Sequence, residues 1–174
     1  MVNPAPADNK RNNLSPSYKW IALGNTTLGT LIAALDANII FIALPTIASE
    51  LSTSVFTMVW IIIGYSLVIA SILLNFGRLA DIFGRVRLFT LGFIIFTFGS
   101  GLCSISQSGE QLVIFRIVQA IGAAFILSNS VAILTDSFPS NQRGKALGIN
   151  QIAIVLGSIP VSYTHLRAHE TEAD

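Results

Sequence analysis

An all-α, polytopic transmembrane helix bundle is the fold class this sequence predicts, and three observations predict it. Only 11% of its 174 residues are charged and 52% are hydrophobic, whereas soluble domains carry about 25% charged residues. The mean hydropathy is +0.69. The apolar residues are gathered into long blocks whose connections leave no room for a soluble domain. Such blocks must be helices, because open strands cannot satisfy their backbone in lipid.

The elements follow in order. Residues 1–19 hold Pro4, Pro6, Asn12, Asn13, Ser15 and Pro16 and read as a disordered lead-in. Residues 20–45 form span one, whose single charge is Asp36. The block exceeds the signal-peptide core of about 7–15 residues and meets the roughly 17–25 that a bilayer crossing needs. Span two is expected at 57–76, span three at 88–106 and span four at 112–136. A fifth block, 145–161, begins like a span and is cut short where hydrophobicity collapses; residues 161–174 read as a tail.

Composition also excludes functions. A net charge of +1 offers no basic patch, so nucleic acid is not an expected partner. Cys103 is the one cysteine, which rules out a disulfide or a cysteine zinc cluster within the chain, and no metal site is predicted. No Gly-rich nucleotide loop follows a strand, and His165 and His169 both lie in the tail, far from any Ser/His/Asp set. The chain reads as a non-enzyme without a cofactor.

Basic residues set the orientation. Lys10, Arg11 and Lys19 precede span one, Arg78, Arg85 and Arg87 separate spans two and three, and Arg143 and Lys145 separate spans four and five. The connections after spans one and three contain Glu50 and Glu110 but neither Lys nor Arg. The positive-inside rule therefore places the N-terminus in the cytoplasm of a multi-pass protein, expected in the plasma membrane.

Asp36 and Arg116 are the two charges well inside the blocks, and their signs are opposite. A carboxylate near mid-bilayer costs about 2.5–3.5 kcal/mol on insertion scales, so its default reading is a proton, ion or substrate site. The plainer reading is a paired carboxyl that locks two helices together. Span one runs outward and span four inward, which puts both residues in the outer half of the membrane. At about 1.5 Å per residue their depths differ by about 8 Å, which side-chain length partly closes. Pairing lowers the insertion cost of both. A carboxylate that loses its cation in one conformation and regains it in another can take up and release a proton.

The connection between spans two and three reads Gly77-Arg78-Leu79-Ala80-Asp81-Ile82-Phe83-Gly84-Arg85-Val86-Arg87. Its glycines suit a tight turn, and Asp81 can accept from helix N-terminal amides or pair with Arg85 or Arg87. The string resembles motif A of the major facilitator superfamily, G-x-L-A-D-R-x-G-R-K-R, with Ile82 and Val86 in place of basic residues. Leu35 to Pro45, LDANIIFIALP, resembles the span-one motif L-D-x-T-I-V-N-V-A-L-P of fourteen-span drug:proton antiporters. Asn38 there replaces threonine and Phe41 replaces asparagine. In span four, Arg116, Gln119 and Gly122 fall on motif B, R-x-x-Q-G-x-G-A-A, with Ala120 in place of the first glycine. Gly148 and Gly157 match the spacing that opens the antiporter motif C. Its Gly-Pro-x-x-Gly-Gly is then replaced by VSYTHLRAHE, which resembles cloning-adapter read-through and points to a non-native tail.

The resemblance implies the N-terminal part of a major facilitator fold, covering residues 20–160 of its six-helix half. It implies a secondary transporter working by alternating access, most simply proton-coupled multidrug efflux. Protons, a lipid bilayer and a small lipophilic or cationic substrate would be its partners, and the proton gradient its driving force. Motif A, through Gly77, Arg78, Asp81, Gly84, Arg85 and Arg87, would gate the cytoplasmic side. The chain alone is expected to be inactive. A facilitator for a metabolite or other small solute, and a non-transporting membrane protein, are the alternatives.

Small residues have a packing role in lipid. Gly24, Gly29, Gly92, Gly99, Gly101, Gly122, Ala123 and Ala124 are expected at helix interfaces. Asn129 and Ser130 either line a cavity or hydrogen-bond across helices.

Overall fold

The computed structural model describes residues 16–75, 80 and 82–171. Five long helices run through them: α1, Pro16–Glu50; α2, Val55–Asn75; α3, Arg85–Ser104; α4, Gly109–Ser137; and α5, Ser140–Thr171. Among the described residues, α1 to α4 are long and apolar enough to cross a membrane. The protein is thus a multi-pass, all-helical membrane protein.

The helices outrun the apolar blocks at both ends. α1 starts at Pro16, so residues 16–19, expected in the lead-in, are helical. Proline suits a first helical turn because that N–H has no helical partner to lose. α5 continues past residue 161 to Thr171, through residues expected to be a tail. Loss of hydrophobicity does not stop a helix when Leu166, Arg167, Ala168 and Glu170 are all good helix formers.

α4 is the centre of the bundle. It packs against α1, α2 and α3 and touches α5, whereas α1 barely touches α2. In its most hydrophobic 18-residue stretch 61% is buried, against 17–28% in the other three spans. Its start is capped: Ser108 Oγ accepts from the Gln111 N–H at 3.3 Å, and Gln111 Oε1 accepts from the Gln107 N–H at 3.1 Å. Its end is set by Phe138, which is extended (φ −111°, ψ 140°) as a residue before proline prefers.

Small residues decide how closely the other helices approach. A Cβ on Gly122 would lie 2.4 Å from Phe96 N and 2.7 Å from Gly92 O, and one on Gly99 would lie 2.7 Å from Gln119 Cα. α3 and α4 therefore meet backbone to backbone. α5 lies on α1 in the same way, since a Cβ on Gly157 would meet Ala34 Cβ at 2.7 Å and Leu35 N at 3.1 Å. That seam is also polar: Thr30 Oγ1 donates to Asn150 Oδ1 at 3.0 Å and Asn38 Nδ2 to Ser158 Oγ at 3.4 Å. Gly24 and Gly101 differ from expectation, as nothing lies within 4 Å of a Cβ there. They face outward rather than into an interface.

Candidate functional site

Where α1 crosses α4, three polar side chains close a triangle inside the apolar bundle. Arg116 Nη1 donates to Asp36 Oδ2 at 2.8 Å and to Gln119 Oε1 at 2.8 Å. Gln119 Nε2 donates to Asp36 Oδ1, also at 2.8 Å. Both carboxylate oxygens are thus occupied, one by a cation and one by an amide. The about 8 Å depth difference expected from residue counting does not keep the pair apart.

Helix spacing explains the arrangement. Arg116 and Gln119 are three residues apart on α4 and share a face. Gly99 lets α3 press against the backbone of Gln119, which fixes the amide from behind. On the remaining side α2 brings Tyr65, whose ring lies beneath the guanidinium with Cζ 4.1 Å from the centroid. Cys103 Sγ, on α3, approaches Gln119 Oε1 at 3.8 Å.

Burial is unequal across the pair. The Arg116 side chain is 4% exposed and that of Asp36 is 18% exposed. The carboxylate is the more exposed member of the pair. Two buried atoms of the cluster, Arg116 Nε and Tyr65 Oη, lack a well-formed hydrogen bond, although Asp36 lies within electrostatic reach of Tyr65.

A second charged cluster sits where α3 starts and α4 ends. Gly84 precedes α3 with φ +90°, a left-handed conformation that suits a residue without a Cβ. Arg85 Nη1 then reaches Asp136 Oδ2 at 2.7 Å and the Ala132 carbonyl at 3.2 Å. Arg87 is exposed, and with Tyr18, Gly84, Arg85 and Asp136 it lines an open crevice of about 700 Å³. Gly77, Arg78 and Asp81, the remaining motif A residues, lie outside the described residues.

Other predicted positions are now located. Gly122 packs on α3 and Gly157 on α1, while Gly148 is exposed with nothing within 4 Å of a Cβ. Asn129 Nδ2 donates to Phe125 O and Ser130 Oγ to Ile126 O, so both bonds stay within α4. Among the described residues, no group of three His, Cys, Asp or Glu could hold a metal ion.

A family model decides what kind of protein this is. The model described as Major Facilitator Superfamily matches residues 26–161. The chain belongs to the major facilitator superfamily.

Curated relatives within this superfamily differ in what their names describe. The chain is 40% identical over 141 residues to the riboflavin transporter RibZ of Clostridioides difficile (strain 630), covering 81% of this chain and 31% of that protein. It is 36% identical over 143 residues to multidrug resistance protein 3 of Bacillus subtilis (strain 168), covering 82% and 28%. It is 35% identical over 133 residues to the multidrug export protein EmrB of Haemophilus influenzae, covering 76% and 26%. The chain spans under a third of the length of these facilitator relatives.

Two residues of these clusters, Asp136 and Tyr65, are not among the sequence-predicted positions. Asp136 had a signal, being an acid at the same end of the bundle as the arginines of motif A. Tyr65 had none, because a tyrosine in an apolar span looks like any other aromatic.

Proposed function

We propose that this chain is the N-terminal part of a secondary active transporter that couples export of a lipophilic or cationic compound to proton entry. Asp36 is the proton-accepting carboxylate and Arg116 the cation that tunes it. The observation that carries this reading is the Asp36–Arg116–Gln119 triangle, in which the carboxylate is the more exposed member. A half-buried carboxylate beside a sealed arginine suits a functional rather than a purely structural pair. Membership of the superfamily and the two multidrug relatives support transport rather than catalysis.

Motif A is the cytoplasmic gate in this reading. The Arg85–Asp136 pair ties the start of α3 to the end of α4, and the exposed Arg87 is available to a facing half of the transporter. The basic connections support a cytoplasmic N-terminus and a plasma-membrane location. The riboflavin relative, at 40% identity, supports a second reading, transport of a metabolite.

Everted vesicles carrying the full gene product test both readings, with ethidium and riboflavin as the probes. Ethidium movement that stops with a protonophore and is lost in Asp36→Asn is the expected result. Riboflavin movement without ethidium movement would favour the metabolite reading. Ethidium transport that is normal in Asp36→Asn would remove Asp36 from coupling.

A further inference from the structure

The proton reading leaves a physical problem at Arg116. When Asp36 is neutralised, a guanidinium only 4% exposed loses its counter-ion, and a buried unpaired charge is costly. It must either leave or already have another seat.

The surroundings provide one. Gln119 Oε1 accepts from Arg116 Nη1 at 2.8 Å, and the Tyr65 ring lies under Cζ at 4.1 Å. Both partners are neutral, so neither carries a charge that is lost with that of Asp36, although Gln119 Nε2 also donates to Asp36 Oδ1 at 2.8 Å. A cation over a tyrosine face is attracted by the ring, the more so when desolvated, and Tyr65 is itself 4% exposed. The seat also belongs to one mechanical unit. Arg116 and Gln119 are on α4 and Tyr65 is on α2, which packs closely against α4; Asp36 is on α1, which packs on α5 as well as on α4 and barely touches α2.

We infer that Tyr65 and Gln119 form a neutral seat that holds the Arg116 guanidinium when Asp36 is neutral, so that the carboxylate on α1, not the arginine, is the part that moves. Tyr65 is a positioning residue: its ring holds Arg116, and its hydroxyl also lies close to Asp36. Among the described side chains, the ionisable groups around the site are Asp36 from α1, Tyr65 from α2, Cys103 from α3 and Arg116 from α4. The basic residues Arg143 and Lys145 of α5 lie at that helix's start, away from the site. This inference rests on the proton reading for its meaning, but its test needs neither substrate nor gradient.

The test is nuclear magnetic resonance on the ¹⁵N-labelled chain in lipid nanodiscs, with the Arg116 Nε–H signal assigned by its loss in Arg116→Lys. A guanidinium over an aromatic face has its protons displaced upfield by the ring current. The displacement should persist in Asp36→Asn, which mimics the neutral carboxyl, persist in Tyr65→Phe, and vanish in Tyr65→Leu. Cross-relaxation between the Tyr65 ring protons and the Arg116 Nε–H in Asp36→Asn decides the point with Tyr65 intact, should Tyr65→Leu fail to fold. Loss of that contact in Asp36→Asn, or an unchanged signal in a folded Tyr65→Leu, overturns the seat. Coupling at Asp36 is judged separately by the vesicle assay, so either idea can fail alone.

Discussion

Asp36 and Arg116, eighty residues apart in the chain, meet at 2.8 Å across the α1–α4 crossing. With the Gln119–Asp36 bond, this contact ties α1 to the α2–α3–α4 unit through a carboxylate. These bonds add a polar link to the packing that already holds α1 on α4.

Removing the cation should harm the fold more than removing the anion. Arg116→Ala leaves Asp36 without its ion-pair partner inside the bundle, and breaking a buried pair from one side costs about 3–5 kcal/mol. Asp36→Asn leaves the guanidinium its bond to Gln119 and the Tyr65 face, so the loss should be smaller. Thermal unfolding in nanodiscs should rank wild type above Asp36→Asn and Asp36→Asn above Arg116→Ala. The reverse order would mean that the neutral partners contribute little.

Glycine substitutions should separate interface from surface. A Cβ at Gly122 meets main-chain atoms of Phe96 and Gly92, which cannot rotate away, so Gly122→Ala should lose about 1–3 kcal/mol. Gly101 has open space around it, and alanine there should gain about 0.5–1 kcal/mol from helix propensity. Equal unfolding midpoints for the two variants would contradict the backbone contact between α3 and α4.

The Arg85–Asp136 pair should behave differently from Asp36–Arg116. Its side chains are 32% and 46% exposed, and exposed ion pairs contribute about 0.2–1 kcal/mol. A double-mutant cycle with Arg85→Ala and Asp136→Ala should give a coupling in that range, shrinking as salt is raised. A coupling as large as that of Asp36–Arg116 would indicate a pair sealed from water. Gly84→Ala next to it should act through the backbone instead, since φ +90° carries a strain of about 1–3 kcal/mol for other residues.

The four spans were legible because length and apolarity are what a bilayer demands, and both are written locally in the chain. Helix ends were less so: Ser17, Tyr18 and Lys19 are polar but do not oppose a helix, and nothing in lipid selection stops α1 at Trp20. Opposite charges on spans one and four made the Asp36–Arg116 pair an expectation. The depth at which they meet depends on helix tilt and on contacts such as Gly99 against Gln119, which residue counting does not contain. Tyr65 belongs to the same class, since its place under Arg116 depends on how α2 crosses α4. Gly148 and Gly157 share a motif spacing, yet only the structure separates the exposed one from the packed one.

That separation yields the last prediction. Gly157 lies against Ala34 and the backbone of Leu31 and Leu35, immediately beside Asp36. An added methyl there meets the Leu35 nitrogen at 3.1 Å and the Leu31 oxygen at 3.2 Å, so α1 must shift or turn. The displaced segment carries Asp36, whose two bonds to α4 are already at 2.8 Å and lose strength quickly with distance and angle. On the proposed coupling at Asp36, Gly157→Ala in the full gene product should therefore lower ethidium transport at least tenfold with the protein still inserted. Gly148→Ala, one motif step away and open to its surroundings, should stay within twofold of wild type. Gly157→Ala should also open the adjoining seam where Asn38 meets Ser158, read as faster alkylation in Ser158→Cys with Gly157→Ala than in Ser158→Cys alone. Unchanged transport in Gly157→Ala would show that the position of α1 on α5 does not govern Asp36.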